Sequence, residues 1–488
     1  MKSALFDDHF ESFPFWREAG LSGLTCVHVD AHLDVSTDGF TQKALDGIAG
    51  AATRDELLAF RGNPKLPWGG FHCGNYLYPA LVDGTVTTLI WVVPSEPMDG
   101  NSMLGSARQT LQGWVDMRLE EYTGLKSVEG RVEGTLFGRR LVFCTAETMP
   151  ELGPTEAERV ALDIDVDYFV RLKDDKMWQS PHQLRELLGD LKPLALTVAT
   201  SCEGGYTPLS QRYLGQVCLD VFSRDPLLWK EQVESYRQAF GLPSNPPETS
   251  PETLPEGEEG PAALTRQQAL ETLLQQAPDF MKPSLLSALG RYQEAAEADP
   301  AYAPSPLDQA GRHFQRRQYK EGLACLEGME ESQESRRYLT AFMAAGNAQL
   351  EVTLDEVKAL LEQPGLAERD RARLLSMQAD VVGRKGDSRK ALALLRQAVK
   401  VEPDRAVLHH QIAHYLRLLG ERDDAAKHVR KALRLSKGKV SSLPILLDAS
   451  RLYDELGQRA LARATRRELE DSDVTGFYAI NAILDSSR

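Results

Sequence analysis

Cysteine is scarce in this sequence. Its six copies, Cys26, Cys73, Cys144, Cys202, Cys218 and Cys325, are scattered through 488 residues, and no two form a C-x-x-C pair. That excludes a disulfide scaffold and is the usage expected of a reduced, cytoplasmic protein. Long apolar runs are missing too. No stretch approaches the roughly 18 residues that would span a bilayer, so no membrane segment is expected. The opening MKSALFDDHFESFPFW places acids where a secretory signal needs its apolar centre. Positive charge is in deficit: 56 Lys and Arg against 71 Asp and Glu leave a net charge of −15. An acidic chain is not a general binder of nucleic acid or of anionic membranes. The remaining composition, 42% hydrophobic and 26% charged, is that of a globular protein. The length exceeds what one core organises and implies two or three domains.

The two halves of the chain differ in pattern. Residues 1–240 contain the short apolar runs LTCVHV (24–29), TLIWVVP (88–94), LVFCTA (141–146), VALDIDV (160–166) and LALTVATS (194–201). Continuous rather than alternating hydrophobicity predicts strands buried on both faces, as in a parallel sheet. Helical stretches such as DDHFESFPFWREAG and GNYLYPALVDG lie between them, so this half reads as a three-layer α/β domain. Residues 241–262 hold six prolines and five glutamates without Lys or Arg, a composition that predicts a linker.

Residues 263–488 lose the strand signal. Leu, Ala, Arg and Glu recur at helical spacing, and Ala379, Gly386, Ala391 and Ala398 return 34 residues later as Ala413, Gly420, Ala425 and Ala432. A third copy follows at Ala449, Gly457 and Ala462. Small residues at fixed places let paired helices approach, and each glycine would end the first helix of a pair. These segments resemble tetratricopeptide repeats, with GRYQEAAEADP and RRQYKEGLACLE as degenerate copies. The alternative is a non-repetitive helical bundle. Residues 371–440 carry 17 Lys and Arg against 7 Asp and Glu. They predict either a basic groove for an acidic peptide or a solvated helix face.

Two strand ends carry the chemistry. LTCVHVDAHLDVS runs from a strand into Asp30, His32 and Asp34, and alternation puts all three on one side. VALDIDVDYF delivers Asp163, Asp165 and Asp167 in the same way. Ligands of parallel sheets bind beyond the carboxyl ends of strands. Carboxylates gathered there repel one another unless a cation lies among them. Capping residues and surface acids explain one such cluster, but two explain poorly. An oxygen-rich donor set with imidazole suits Mn2+ or a related divalent ion, and there are enough carboxylates to bridge two ions about 3.5–4 Å apart.

VDAHLD and LDIDVD resemble the paired signatures of the ureohydrolases, the arginase and agmatinase superfamily. The resemblance implies an arginase/deacetylase-like fold holding two Mn2+ ions. It implies that His9, from the Asp8–His9 pair, binds one ion with Asp30, Asp34 and Asp163. Asp30, His32, Asp163 and Asp165 would bind the other, Asp30 and Asp163 would bridge, and Asp167 lies outside the matched pair. WGGFHCGNYL resembles the family's loop with a catalytic histidine, which assigns His72 as proton shuttle. ATSCEGGY resembles its late strand and turn, which assigns Glu203 to the guanidinium. Asp34 would relay a proton from a bridging hydroxide, the nucleophile, to the leaving nitrogen. His28 shares the alternating face and is an alternative to His9 or a partner behind the ligands. Val35-Ser36 replace the residues that in arginases hold a free amino acid. The DDHFESFPFW and HVDAHLD patterns instead resemble the branch that includes peptide arginases, which convert arginine residues to ornithine and urea. The expectation is a metal-dependent hydrolase whose repeat domain binds an arginine-containing peptide. The alternatives are an agmatinase-like or deacetylase-like hydrolase, the latter using Tyr206, and a non-catalytic repeat scaffold. A cysteine nucleophile at Cys73 or Cys202 has no base at a recognisable spacing.

Overall fold

Five of the strands form where apolar runs leave no polar face, so only a sheet covered on both sides can bury them. The computed structural model describes residues 1–37, 40–61, 71–95, 102–224, 265–329, 333–364, 366, 368–476 and 478. The strands are β1 (Lys2–Phe6), β2 (Leu24–Val29), β3 (Val86–Val92), β4 (Lys126–Val128), β5 (Arg131–Leu136), β6 (Arg139–Cys144), β7 (Val160–Asp165) and β8 (Ala195–Ala199). They form one sheet in the order β1-β8-β7-β2-β3-β6-β5-β4. β1, β8, β7, β2, β3 and β6 run parallel, and β5 and β4 add an antiparallel edge.

Alternation along each strand feeds two cores. Cys26, Leu89 and Leu141 join Phe13, Trp16, Leu77 and Leu111 on one face. Val27, Val29, Leu162 and Val198 join Leu184, Val221 and Phe222 on the other. The domain is therefore three-layered, with helices Ser12–Glu18, Leu77–Asp83 and Met103–Trp114 on one side and Pro181–Leu188 and Leu214–Ser223 on the other. The linker expected over 241–262, and with it the boundary at 240, lies outside the described residues.

The rest of the described chain is all-helical. Among the described residues, six helix pairs follow one another: 282–288 with 292–298, 306–315 with 319–326, 333–346 with 350–361, 368–384 with 388–401, 406–418 with 422–435, and 442–455 with 459–472. The repeated alanines Ala379, Ala391, Ala398, Ala413, Ala425, Ala449 and Ala462 are buried between the pairs. Gly386, Gly420 and Gly457 take the left-handed conformation that ends each first helix, at φ of 89°, 81° and 70°. Both degenerate copies lie in helix pairs as well.

This repeat region touches the sheet domain at both ends. Near its start, the Pro306–Gln315 helix lies on the Glu203–Gly205 turn. Near its end, Val440, Leu443, Leu446 and Leu447 enter the same apolar core as Leu111, Met117 and Tyr122. No described helix is long and apolar enough to cross a membrane.

Candidate metal centre

Four neighbouring parallel strands, β1, β8, β7 and β2, release their chains at one edge of the sheet, and each supplies polar side chains there. After β1, Asp8 accepts a hydrogen bond from Phe10 N at 3.0 Å and caps the His9–Glu11 turn, which buries His9. After β2 come Asp30, His32 and Asp34. Trp91 Nε1 holds the Asp30 carbonyl at 3.0 Å. Asp34 sits in the left-handed region at φ 53°, a conformation an aspartate tolerates better than a branched residue.

His9 is the hub. Its Nδ1 lies 3.0 Å from Asp30 Oδ2, 3.3 Å from Asp34 Oδ2 and 3.2 Å from Asp165 Oδ2. Yet His9 Nδ1 and Asp30 Oδ2 are both buried without a hydrogen-bond partner. Lone pairs that converge in this way, shielded from water, fit a cation. On the other side of Asp30, His32 Nδ1 lies 2.8 Å from Asp167 Oδ2 and 3.5 Å from Asp30 Oδ1. Asp30 thus belongs to two adjoining donor groups, His9–Asp30–Asp34 and Asp30–His32–Asp167.

Asp163 also has donors around it, forming a third group with His9 and His28. Its surroundings differ. Oδ1 accepts from Ser12 Oγ at 2.8 Å and from Thr197 Oγ1 at 2.5 Å. Oδ2 accepts from Tyr76 Oη at 2.5 Å and faces His28 Nδ1 and His9 Nε2, both at 3.1 Å. The pairing register explains the position. His28 is level with Asp163 and Val29 with Ile164, so Asp165 follows beside Asp30 and Asp163 lies one alternation deeper.

The charges follow this layout. Burial resists ionisation of Asp163, but His9 and His28 outweigh it and hold the carboxyl below the usual range. Burial, then Asp167 and Asp165, pushes Asp30 up. Burial and the nearby Asp30 raise Asp34 to about 6. Burial opposes the charged form of His9, but Asp163 leads a set of carboxylates that raises it.

His72 and Glu203 are brought to the same place. His72 Nδ1 accepts from Gly74 N at 3.1 Å and its own amide donates to Asn75 Oδ1 at 2.8 Å, which fixes the ring over a short turn. Glu203 is exposed, and its amide donates to Asp7 Oδ2 at 2.8 Å. Both side chains line one cavity with Asp8, His9, Cys73 and Tyr206, a space of about 740 Å³ including its open mouth. The Trp68-Gly69-Gly70 part of the expected histidine loop lies outside the described residues. Burial pushes the thiols of Cys73 and Cys202 up, so neither is a thiolate at neutral pH.

Sequence reasoning missed Asp7 and Tyr76. Asp7 braces the turn below Glu203, accepting from Thr200 Oγ1 and pairing with Arg212 Nη1, each at 2.5 Å. Tyr76 joins Asp163 to His9, with its hydroxyl 3.1 Å from His9 Nε2. Tyr206, considered only for a deacetylase-like reading, places its ring edge-on to His32 at 5.3 Å between centroids. Asp7 follows a strand the sequence does not reveal, and Tyr76 carried no local signal.

The basic stretch of the repeats is open to two readings, a groove or a solvated helix face. A second cavity on the first-helix row is lined by Ser376, Asp380, His410, Gln411, His414 and Asp448 among others, without Lys or Arg. Most exposed basic residues of this stretch, among them Arg389, Lys390, Arg396, Lys400, Lys427, Arg430 and Arg434, stand on second helices, whereas Arg384 ends a first helix and Lys385 follows it.

No family model matches the chain, and no curated protein matches it. Solved structures align with the helical part. MamA is 11% identical, with 34% of this chain and 94% of that chain covered at a TM-score of 0.30. A thermophilic TPR protein of Thermus thermophilus is 24% identical, with coverages of 37% and 97% and a TM-score of 0.29. YrrB, a TPR protein with an unusual peptide-binding site, is 15% identical, with coverages of 44% and 98% and a TM-score of 0.27.

Proposed function

We propose that the sheet domain hydrolyses a guanidinium group with two divalent ions, Mn2+ by donor chemistry, releasing urea from arginine residues of a peptide. The observation that carries this reading is the buried convergence of Asp30, Asp34 and Asp165 on His9 Nδ1, where neither His9 Nδ1 nor Asp30 Oδ2 makes a well-formed hydrogen bond. His9, Asp30, Asp34 and Asp165 would hold one ion, and Asp30, His32, Asp165 and Asp167 the other. Asp163 is then the buried carboxylate that orients His9 from below, a role its saturated hydrogen bonding suits. When bound, the two ions supply an acidified water and cancel the carboxylate charge.

The protein groups do the rest. Glu203, braced by Asp7, pairs with a planar guanidinium, a geometry that favours Arg over Lys. Asp34, beside the ions, would take the proton from the attacking water and pass it to the departing nitrogen. His72, at the cavity wall, exchanges protons with solvent.

The test is Mn2+-loaded protein offered free arginine, agmatine and an arginine-containing peptide, read by urea and by substrate mass. Urea from the peptide alone supports the reading. Urea from a free amine favours a metabolic substrate. No urea from any would discard guanidinium hydrolysis. Tyr206 beside His32 favours one further reading, hydrolysis of an amide of deacetylase type, which acetyl release would reveal.

A further inference from the structure

The cavity beside the metal centre is built by two domains. Its inner wall is Glu203, His72 and the ends of the parallel strands, and its outer wall includes Leu307, Phe314 and Gln315 of the Pro306–Gln315 helix and Leu339 of the following helix pair. The two walls are locked together. Gly204 N donates to Asp308 Oδ1 at 3.0 Å, and Arg312 Nη1 donates to the Gly205 and Tyr206 carbonyls. Arg316 Nε holds the Leu172 carbonyl at 2.7 Å. Glycines make the approach possible, because a Cβ on Gly311 would overlap the Gly204 carbonyl and one on Gly205 would overlap the helix backbone. Gln315 and Tyr206 both line the cavity, and the Tyr206 ring rests on His32.

Charge and direction define the ligand. Glu203 and Asp308 line the cavity, as do Asp7 and Asp8, which pair with Arg212 and Arg61; among the described residues no Lys or Arg lines it, so its lining is acidic and suits a cation. The repeat residues at this cavity belong to first helices of their pairs, as do nearly all those lining the second cavity at His410 and Asp448. The two cavities therefore lie along one row. A ligand reaching from one to the other is a chain, not a metabolite.

We propose that Phe314 and Gln315 of the repeat domain form the specificity wall of the reaction cavity, and that its ligand is a basic side chain carried on an extended polypeptide lying along the first-helix row. This rests on the guanidinium-hydrolysis reading for the reaction, but not for the binding. Phe314 offers an apolar face to the residue that neighbours the basic side chain in the polypeptide, a contact agmatine lacks, while the carboxylates take the charge.

The test uses the full chain loaded with Mn2+ and a fluorescein-labelled heptapeptide with blocked ends and a central arginine. Anisotropy gives peptide affinity, and agmatine binding is followed by calorimetry. Phe314→Ala and Gln315→Ala are expected to weaken the peptide by about tenfold each, the scale of one lost pocket contact. Metal content and agmatine affinity stay as in the unaltered protein. Peptide affinity within twofold of the unaltered protein in both variants overturns the proposal. So does equal weakening of agmatine, which would mark a general disturbance, or failure of the unaltered protein to bind the peptide. Urea release separates the two ideas. Peptide binding that both variants weaken, without urea, keeps the wall and discards the reaction; urea with unaffected variants does the reverse.

Discussion

At the residue scale, the proposed chemistry turns on the separation of Asp163 from Asp165 and Asp167. Asp165→Asn is expected to reduce bound Mn2+ from two ions to one or none, measured on desalted protein by elemental analysis. Asp163→Asn should act mainly on the fold. It leaves His9, His28, Tyr76 and two hydroxyls around a neutral amide, and loss of a buried charged partner costs about 3–5 kcal/mol. The metal-free variant should therefore melt well below the unaltered protein in a thermal scan, even where Mn2+ is never added. The raised pKa of Asp34 gives a pH dependence with a defined sign. Its carboxyl must lose a proton to bind metal, so affinity should fall as pH drops through about 6. Above that pH the group is already ionised and the dependence on Asp34 vanishes. Calorimetric titrations from about pH 5 to 7.5 in buffers of different ionisation enthalpy should show proton release growing below about pH 6. The donors themselves were readable in the sequence, because alternation at a strand end places like residues together. Alternation could not say which two of three aspartates reach the edge. Only the pairing of β7 with β2, a long-range fact, settles that Asp163 is one step inside.

At the scale of elements, continuous apolar runs identified β2, β3, β6, β7 and β8 to within a residue or two at most ends. The runs at β1 and at the β4–β5 hairpin escaped. β1 is an edge strand, half exposed along its length, so its sequence KSALF carries no buried-strand signature. In β5, Arg131, Glu133 and Gly134 interrupt the apolar residues, because this antiparallel edge has one face toward solvent. The helix pairs were legible through their period, which small residues impose wherever helices touch. Missing altogether was the seam between Glu203 and the Pro306–Gln315 helix, since nothing local marks Gly205 and Gly311 as mutual contacts. Gly311→Ala should force these elements apart and cost about 1–3 kcal/mol, as overpacking does. Amide exchange should then quicken at Gly204, whose amide loses its bond to Asp308, while β2 and β7 remain protected.

At the scale of the whole molecule, the two regions share a core. Leu443, on the last described helix pair but buried among residues of the sheet domain, is 1% exposed. A solenoid hung from a linker would melt by itself; one that shares apolar side chains with its neighbour should melt with it. A single calorimetric transition is expected for the unaltered protein. Leu443→Ala, at a cost of about 2–5 kcal/mol, should split or broaden it. One transition of unchanged shape in that variant would mean that the far attachment contributes nothing to cooperativity. Attachment at two points also bears on ancestry. An open array can lengthen or shorten by whole units, because each unit needs only its neighbours. Here the span between the Glu203 turn and the Met117 segment sets the number of units that fit. Duplicating or deleting one 34-residue unit would pull one anchorage from its seat. In descendants of this chain the repeat count should therefore stay constant while the sequences within the repeats drift.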